Sequence, residues 1–278
     1  MKKDYCILVF SYNRPSHLKR VLISLESYKE KNIFIIVDGP KNKKDILIQK
    51  EIYKVILGDH KVKINNIFRK KNLGLAESIV KSLDFFSKKY EYLIIIEDDC
   101  IPRKEFFPYI KKSIKLSKKN NSIGAICGFQ LPNLHEKNNG KLNLYLMNHF
   151  IPWGWSILSR NWNEFREEFK SVISKKNKKL KMPKNLKKII KKTKNRDKKI
   201  WTKNFILYNY LKGNKFLFPG KCLIKNIGFD GSGINSKITN IFFTKYYKSK
   251  KISDKIIINK KLILKQEKIL SSLVDYYY

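Results

Sequence analysis

Leu93-Ile94-Ile95-Ile96-Glu97-Asp98-Asp99-Cys100-Ile101-Pro102 is an apolar run that ends in three consecutive carboxylates and a proline turn. It reads as a buried strand that delivers acid to a sheet edge. Three adjacent carboxylates repel one another, and their desolvation is costly unless a cation or a set of hydrogen-bond donors compensates. Oxygen-only ligation at a strand end favours Mg²⁺ or Mn²⁺, hard ions that leave coordination positions open for phosphates. The pattern therefore points to nucleotide or nucleotide-sugar chemistry. The same acids could instead cap the helix after them.

Outward from this stretch the first half alternates regularly. Strands are expected at Asp4–Ser11, Asn32–Val37, Val62–Phe68 and Tyr92–Ile96, and helices at Pro15–Tyr28, Asp45–Leu57 and Leu73–Phe86. In the first helix Leu18, Val21, Leu22 and Leu25 recur at helical spacing. Strands alternating with helices predict an α/β fold, a mainly parallel central sheet covered on both faces. Ligands of such sheets bind beyond the carboxyl ends of the strands. Ser11 to Arg14, Asp38, Arg69 to Gly74 and the three acids all fall at those ends, so one crevice collects them.

Beyond Ile123–Phe129 the pattern loosens. Two of the four tryptophans meet around a glycine in Trp153-Gly154-Trp155, and a helix is expected through Trp162 and Phe165. Residues 174–199 are dominated by lysine, with Pro183 inside, and read as a short basic helix between linkers. Order resumes at Trp201. A glycine-punctuated loop comes next, Asn226-Ile227-Gly228-Phe229-Asp230-Gly231-Ser232-Gly233, and the last thirty or so residues mix lysine and isoleucine without a clean period.

The 278 residues, 42% of them hydrophobic, suffice for a sizeable core. No run is long and apolar enough to span a bilayer and no cleavable leader is legible, so a cytoplasmic location is expected. Cys6, Cys100, Cys127 and Cys222 include no C-x-x-C pair and read as reduced core thiols. A net charge of +38 attracts nucleic acid, anionic lipid or phosphorylated substrates. Yet only Arg14, Arg20, Arg69, Arg103, Arg160, Arg166 and Arg196 are arginine, the residue that forks onto bases and phosphates. With no nucleic-acid-binding signature, a specific nucleic-acid partner is not expected.

Together Phe10–Pro15 (F-S-Y-N-R-P), Val37–Pro40 (V-D-G-P), Asn72–Ile79 (N-L-G-L-A-E-S-I), Ile96–Pro102 (I-E-D-D-C-I-P), Trp153–Ser156 (W-G-W-S) and the Asn226–Gly233 loop resemble glycosyltransferases of the GT-A fold. The resemblance is to bacterial family 2-like sugar transferases and, more distantly, to N-acetylglucosaminyltransferase I. It implies a nucleotide-sugar-binding half at residues 1–130, an acceptor-binding half at 131–245 and a basic tail at 246–278.

The resemblance also implies roles. Ser11, Asn13 and Arg14 would wrap the nucleotide, with Arg14 on a phosphate, and Asp38 would take the base or ribose. Ser11 or Asn13 could equally cap the helix opened by Pro15, and Asp38 could serve an Asp-Gly turn. Arg69, Asn72 and Gly74 belong to the loop that covers the nucleotide, at a helix start whose N–H groups favour an anion. Asp99 would ligate Mn²⁺ or Mg²⁺, Asp98 the sugar, and Glu97 would orient the loop. Trp153, Gly154 and Trp155 would face the acceptor sugar, or else be core tryptophans bracketing a turn. The general base is expected just before Trp201. Here Asp197-Lys198-Lys199-Ile200 precede it, so the acid stands further upstream than in the relatives; Asp197 is the candidate and Asp230 the fallback.

The reading is an inverting, metal-dependent transfer of sugar from a nucleotide-sugar donor to a glycan or lipid-linked saccharide acceptor in bacterial surface polysaccharide synthesis. The basic stretches would hold the chain at the inner face of an anionic membrane. Its rivals are a sugar nucleotidyltransferase and a basic nucleic-acid- or membrane-binding protein. The former would want a glycine-rich phosphate loop after the first strand, and Ser11 to Pro15 has none.

Overall fold

The computed structural model describes residues 2–136, 140–176, 201–232, 238–246 and 248–272. The first half runs β1 (Lys3–Ser11), α1 (Pro15–Glu26), β2 (Ile33–Val37), α2 (Lys43–Leu57), β3 (Ile64–Phe68), α3 (Leu75–Phe86), β4 (Tyr90–Glu97), β5 (Cys100–Pro102) and α4 (Phe106–Lys119). The second half runs β6 (Ile123–Cys127), β7 (Lys141–Met147), β8 (Trp155–Leu158), α5 (Ser159–Lys176), α6 (Trp201–Lys212), β9 (Lys215–Pro219), β10 (Ile224–Asn226), β11 (Lys251–Ile257) and α7 (Lys260–Ser272).

A nine-stranded sheet has the order β11-β7-β9-β6-β8-β4-β1-β2-β3. β3, β2, β1 and β4 are mutually parallel, in register from Ile7 beside Ile33 to Ser11 beside Val37. The fold class is α/β with a mainly parallel central sheet. β1 and β4 lie at its centre with both faces covered, and their cores are continuous apolar runs for that reason: Cys6 to Val9 and Leu93 to Ile96 are fully buried. α1 buries Leu18, Val21, Leu22 and Leu25 on one stripe and begins with proline in its first turn.

β8 runs antiparallel between β4 and β6 and so joins the two halves into one sheet. Behind it Trp155, Phe150, Trp201 and Phe205 pack ring on ring, Trp155 stacking on Trp201 at 5.4 Å. The C-terminal segment is not a bare tail across its described residues: β11 pairs with β7 at the sheet edge and α7 comes after it. All four cysteines are buried free thiols. Among the described residues, no helix is long and apolar enough to cross a membrane.

Candidate active site

The central strands end together, and the loops that leave them converge. The backbone N–H of Asp98 donates to Phe10 O and that of Asp38 to Ser11 O, at 2.9 and 3.0 Å. The three strand ends are therefore stitched at one level. A short antiparallel pair does the rest: β5, directly after the acids, pairs with β10, placing Cys100 opposite Asn226. This brings the glycine loop, more than a hundred residues away in sequence, against the acids. Ile227 N–H donates to Asp99 O at 2.8 Å.

The resulting cavity of about 250 Å³ is lined by Ser11 to Arg14, Asp38, Lys41, Asn72, Gly74, Glu97, Asp98, Asp99, Trp153, Asn226, Gly228 and Phe229, among others. Asp98 is buried; its Oδ2 accepts from Ser11 Oγ at 2.9 Å and its Oδ1 from Arg14. The same Arg14 nitrogen reaches Asp99 Oδ2 at 3.0 Å. Desolvation opposes the charge on Arg14, but the two carboxylates outweigh it and hold the guanidinium firmly protonated. Burial, reinforced by Asp99 and Asp98, raises the Glu97 carboxyl above the usual range. Burial likewise raises Asp98, against the pull of Arg14.

Asp99 offers hard oxygen donors, and the backbone at Gly228 approaches them so closely that a Cβ there would lie 2.1 Å from Asp99 Oδ2. These residues suit a divalent cation. Among the described residues no three His, Cys, Asp or Glu side chains form a self-sufficient metal cage.

The sequence model for glycosyl transferase family 2 matches residues 6–206, from the core of β1 into α6. The chain belongs to that family. It is 22% identical over 170 residues to an alpha-1,3-mannosyl-glycoprotein 2-beta-N-acetylglucosaminyltransferase of Arabidopsis thaliana, a match covering 61% of this chain and 31% of that protein. The chain thus spans about a third of the length of this curated relative. Among solved structures, the galactosyltransferase LgtC with donor and acceptor sugar analogs aligns over 76% of this chain and 72% of its own, at 10% identity and a TM-score of 0.40. A mannosyltransferase of Pyrobaculum calidifontis, in complex with GDP-Man and Mn²⁺, aligns over 63% and 47%, at 10% identity and 0.38.

Several residues expected at this site have other partners in the fold. Neither Ser11 nor Asn13 caps α1; Arg14 is the capping position and no side chain bonds there. Arg14, expected on a phosphate, instead holds Asp98 and Asp99. The helix start at 72–76 was expected to bind an anion from outside, yet its donors already have one. Leu73 N–H and Gly74 N–H donate to the Asp38 carboxylate at 2.8 to 3.2 Å, and Asn72 Nδ2 donates to Gly39 O at 2.7 Å. Asp38 therefore ties the covering loop to the end of β2 while still facing the cavity.

Arg69 turns away from the cavity and donates to Ser78 Oγ, Ser78 O and Ser82 Oγ, clamping α3. The three acceptor-side candidates separate. Trp153 lines the cavity, edge-on to Phe129, Phe229 and Phe242. Trp155 begins β8 between β4 and β6 and is fully buried in the aromatic core, stacked on Trp201. Gly154 adopts φ +63° with its Cα against Ile224, so its lack of a side chain serves packing.

Asp230 stands outside the cavity lining. Its Oδ1 accepts from Ser232 N–H and Oγ, which lower its pKa, and its Oδ2 lies 3.1 Å from His17 Nε2. Those contacts disfavour it as a base. Asp197 lies outside the described residues. Lys41 and Phe229, which the sequence pattern did not single out, line the cavity as neighbours of Asp38 and Gly228.

Proposed function

We propose that this chain transfers a sugar from a nucleotide-sugar donor to a saccharide hydroxyl, with inversion and with Mn²⁺ or Mg²⁺ as cofactor. One observation carries the reading: two adjacent carboxylates at the end of β4, bridged by Arg14, face a cavity whose wall is the Asp38-tethered loop. Asp99 would hold the metal, which would neutralise charge on the departing nucleoside diphosphate. Arg14 sets the spacing of Asp98 and Asp99. Asp98, fixed by Ser11 and Arg14, is left as the contact for the donor's ribose or sugar. Trp153 offers an indole face to the acceptor ring. Asp197 is our candidate for the base that takes the acceptor proton.

We further place the acceptor on a lipid or surface glycan of a bacterial cell and the enzyme at an anionic membrane, on the strength of the +38 charge. Release of nucleoside diphosphate from a panel of nucleotide sugars, with Mn²⁺ and with chelator, tests the reading. Turnover only with metal is expected; a chain inert towards every donor would overturn it. Calorimetry with nucleoside diphosphate and Mn²⁺ should show binding weakened about a hundredfold by Asp99→Asn, the scale of losing a charged ligand. Unchanged affinity would remove Asp99 from the metal. Asp197→Asn should leave that affinity intact and cut transfer about a thousandfold; wild-type transfer by the variant would dismiss Asp197.

A further inference from the structure

The segment 238–246 has two unlike faces. Its inner face is built in. Thr239 N–H donates to Phe229 O at 3.3 Å, and the Phe242 ring lies 4.6 Å from Phe229 and 5.1 Å from Trp153, two residues of the cavity wall. Arg103 donates to the carbonyl and hydroxyl of Thr244, and Tyr246 OH donates to the buried Glu105 at 2.7 Å. These anchors come from the turn between β5 and α4, so the segment is fastened at several points along its length.

Its outer face is apolar. Ile238 is 80% exposed, Phe243 69% and Ile241 48%. With the segment fastened from behind, these side chains face outward. Three neighbouring bulky apolar groups on one short segment at the rim of a binding cavity form a patch of the kind that marks an interaction site rather than scattered surface hydrophobes. Exposed Lys245, Lys248, Lys250 and Lys251 lie within and just after the segment in sequence.

We infer that segment 238–246 is a membrane-docking loop whose Ile238, Ile241 and Phe243 insert among the acyl chains of an anionic bilayer while the adjoining lysines pair with its headgroups. The occupant is assigned by charge: exposed apolar side chains next to exposed lysines on a strongly basic chain complement an anionic lipid surface. Phe242 links the loop directly to Trp153, so docking would set the cavity's acceptor side at the membrane plane, within reach of a lipid-linked saccharide. This inference deepens the membrane part of the proposed function and rests on it for the acceptor, whereas lipid binding itself is measured without any donor.

Vesicles of phosphatidylglycerol and phosphatidylcholine, and of phosphatidylcholine alone, provide the test. The full chain should co-sediment with the anionic vesicles, less so as salt rises. Ile241→Ser combined with Phe243→Ser should reduce that binding about tenfold or more at low salt, with melting temperature and nucleoside diphosphate affinity unchanged. The singly labelled Phe243→Cys variant, carrying an environment-sensitive dye, should blue-shift on anionic vesicles only. Binding unaffected by the double variant, an unshifted dye, or no binding at low salt would each overturn the inference. So would a wild-type dimer in light scattering that the double variant converts to monomer, because the patch would then belong to a second copy. Failure of donor turnover in the parallel assay would refute the transferase reading and leave the vesicle result standing.

Discussion

Gly228 shows how little room the site leaves. With Asp99 Oδ2 only 2.1 Å from where its Cβ would stand, Gly228→Ala must push either the carboxylate or the β10 loop aside. Displacement on the order of an ångström at a reacting centre costs about a hundredfold in rate. Gly228→Ala should therefore lose transfer on that scale while melting close to the wild type, as a thermal scan beside a turnover assay would show. A variant as active as the parent would mean that the acid is not held at this spot. Asp98 and Asp99 were legible in sequence because three acids after an apolar run have few structural explanations. Their dependence on Arg14 was not, since the partners are 84 and 85 residues apart.

Among the elements, α3 carries the clearest lesson. The backbone that leads into it, Leu73 and the N-cap Gly74, bears N–H groups that the helix cannot satisfy internally, and such donors take an anion. Here that anion is Asp38, brought to it by the β2–β3 pairing. Asp38→Ala should free Leu73 N–H and Gly74 N–H, two charge-assisted bonds of about 1.5–3 kcal/mol each. Their hydrogen exchange should quicken by one to two orders of magnitude, with the amides of β1 unmoved. Unchanged protection at Leu73 and Gly74 would show that the loop is held by other contacts, Asn72 to Gly39 O among them. The same pairing logic separates Trp153 from Trp155: Trp153 stands before β8, Gly154 turns the chain at φ +63°, and Trp155 is already paired inside the sheet, opposite Ile95 of β4 and Cys127 of β6.

For the whole molecule, two histidines, the buried His149 and the half-buried His135, predict a loss of stability in acid. Burial holds the His149 imidazole down to about 4, and burial with Arg103 and Lys221 nearby does the same to His135. The unfolded chain takes up these protons near pH 6.5, the folded chain only near 4. Stability is thus fully present above about pH 6.5 and is lost as pH falls towards about 4. Urea unfolding at pH 7 and 4.5 should show a drop that is smaller in His149→Gln than in the parent by about 2 kcal/mol. Equal drops would place the acid lability elsewhere.

Alternating apolar periods and turn residues were enough to read β1 to β4 and α1 to α3 to within a few residues, because exposure along one continuous element is a local property of the chain. The acids at the end of β4 and the crevice beyond the strand ends come from the same local signals. The later strands were harder. β11 buries only Ser253 at a sheet edge and shows no clean alternation, so its lysine-rich sequence resembled a tail. Which groups share the site was settled by pairings between distant segments: β5 with β10, Arg14 with both acids, Asp38 with the start of α3. Sequence records which residues can be buried or charged. Which charge meets which is set by strand order and register, and those are properties of the assembled sheet.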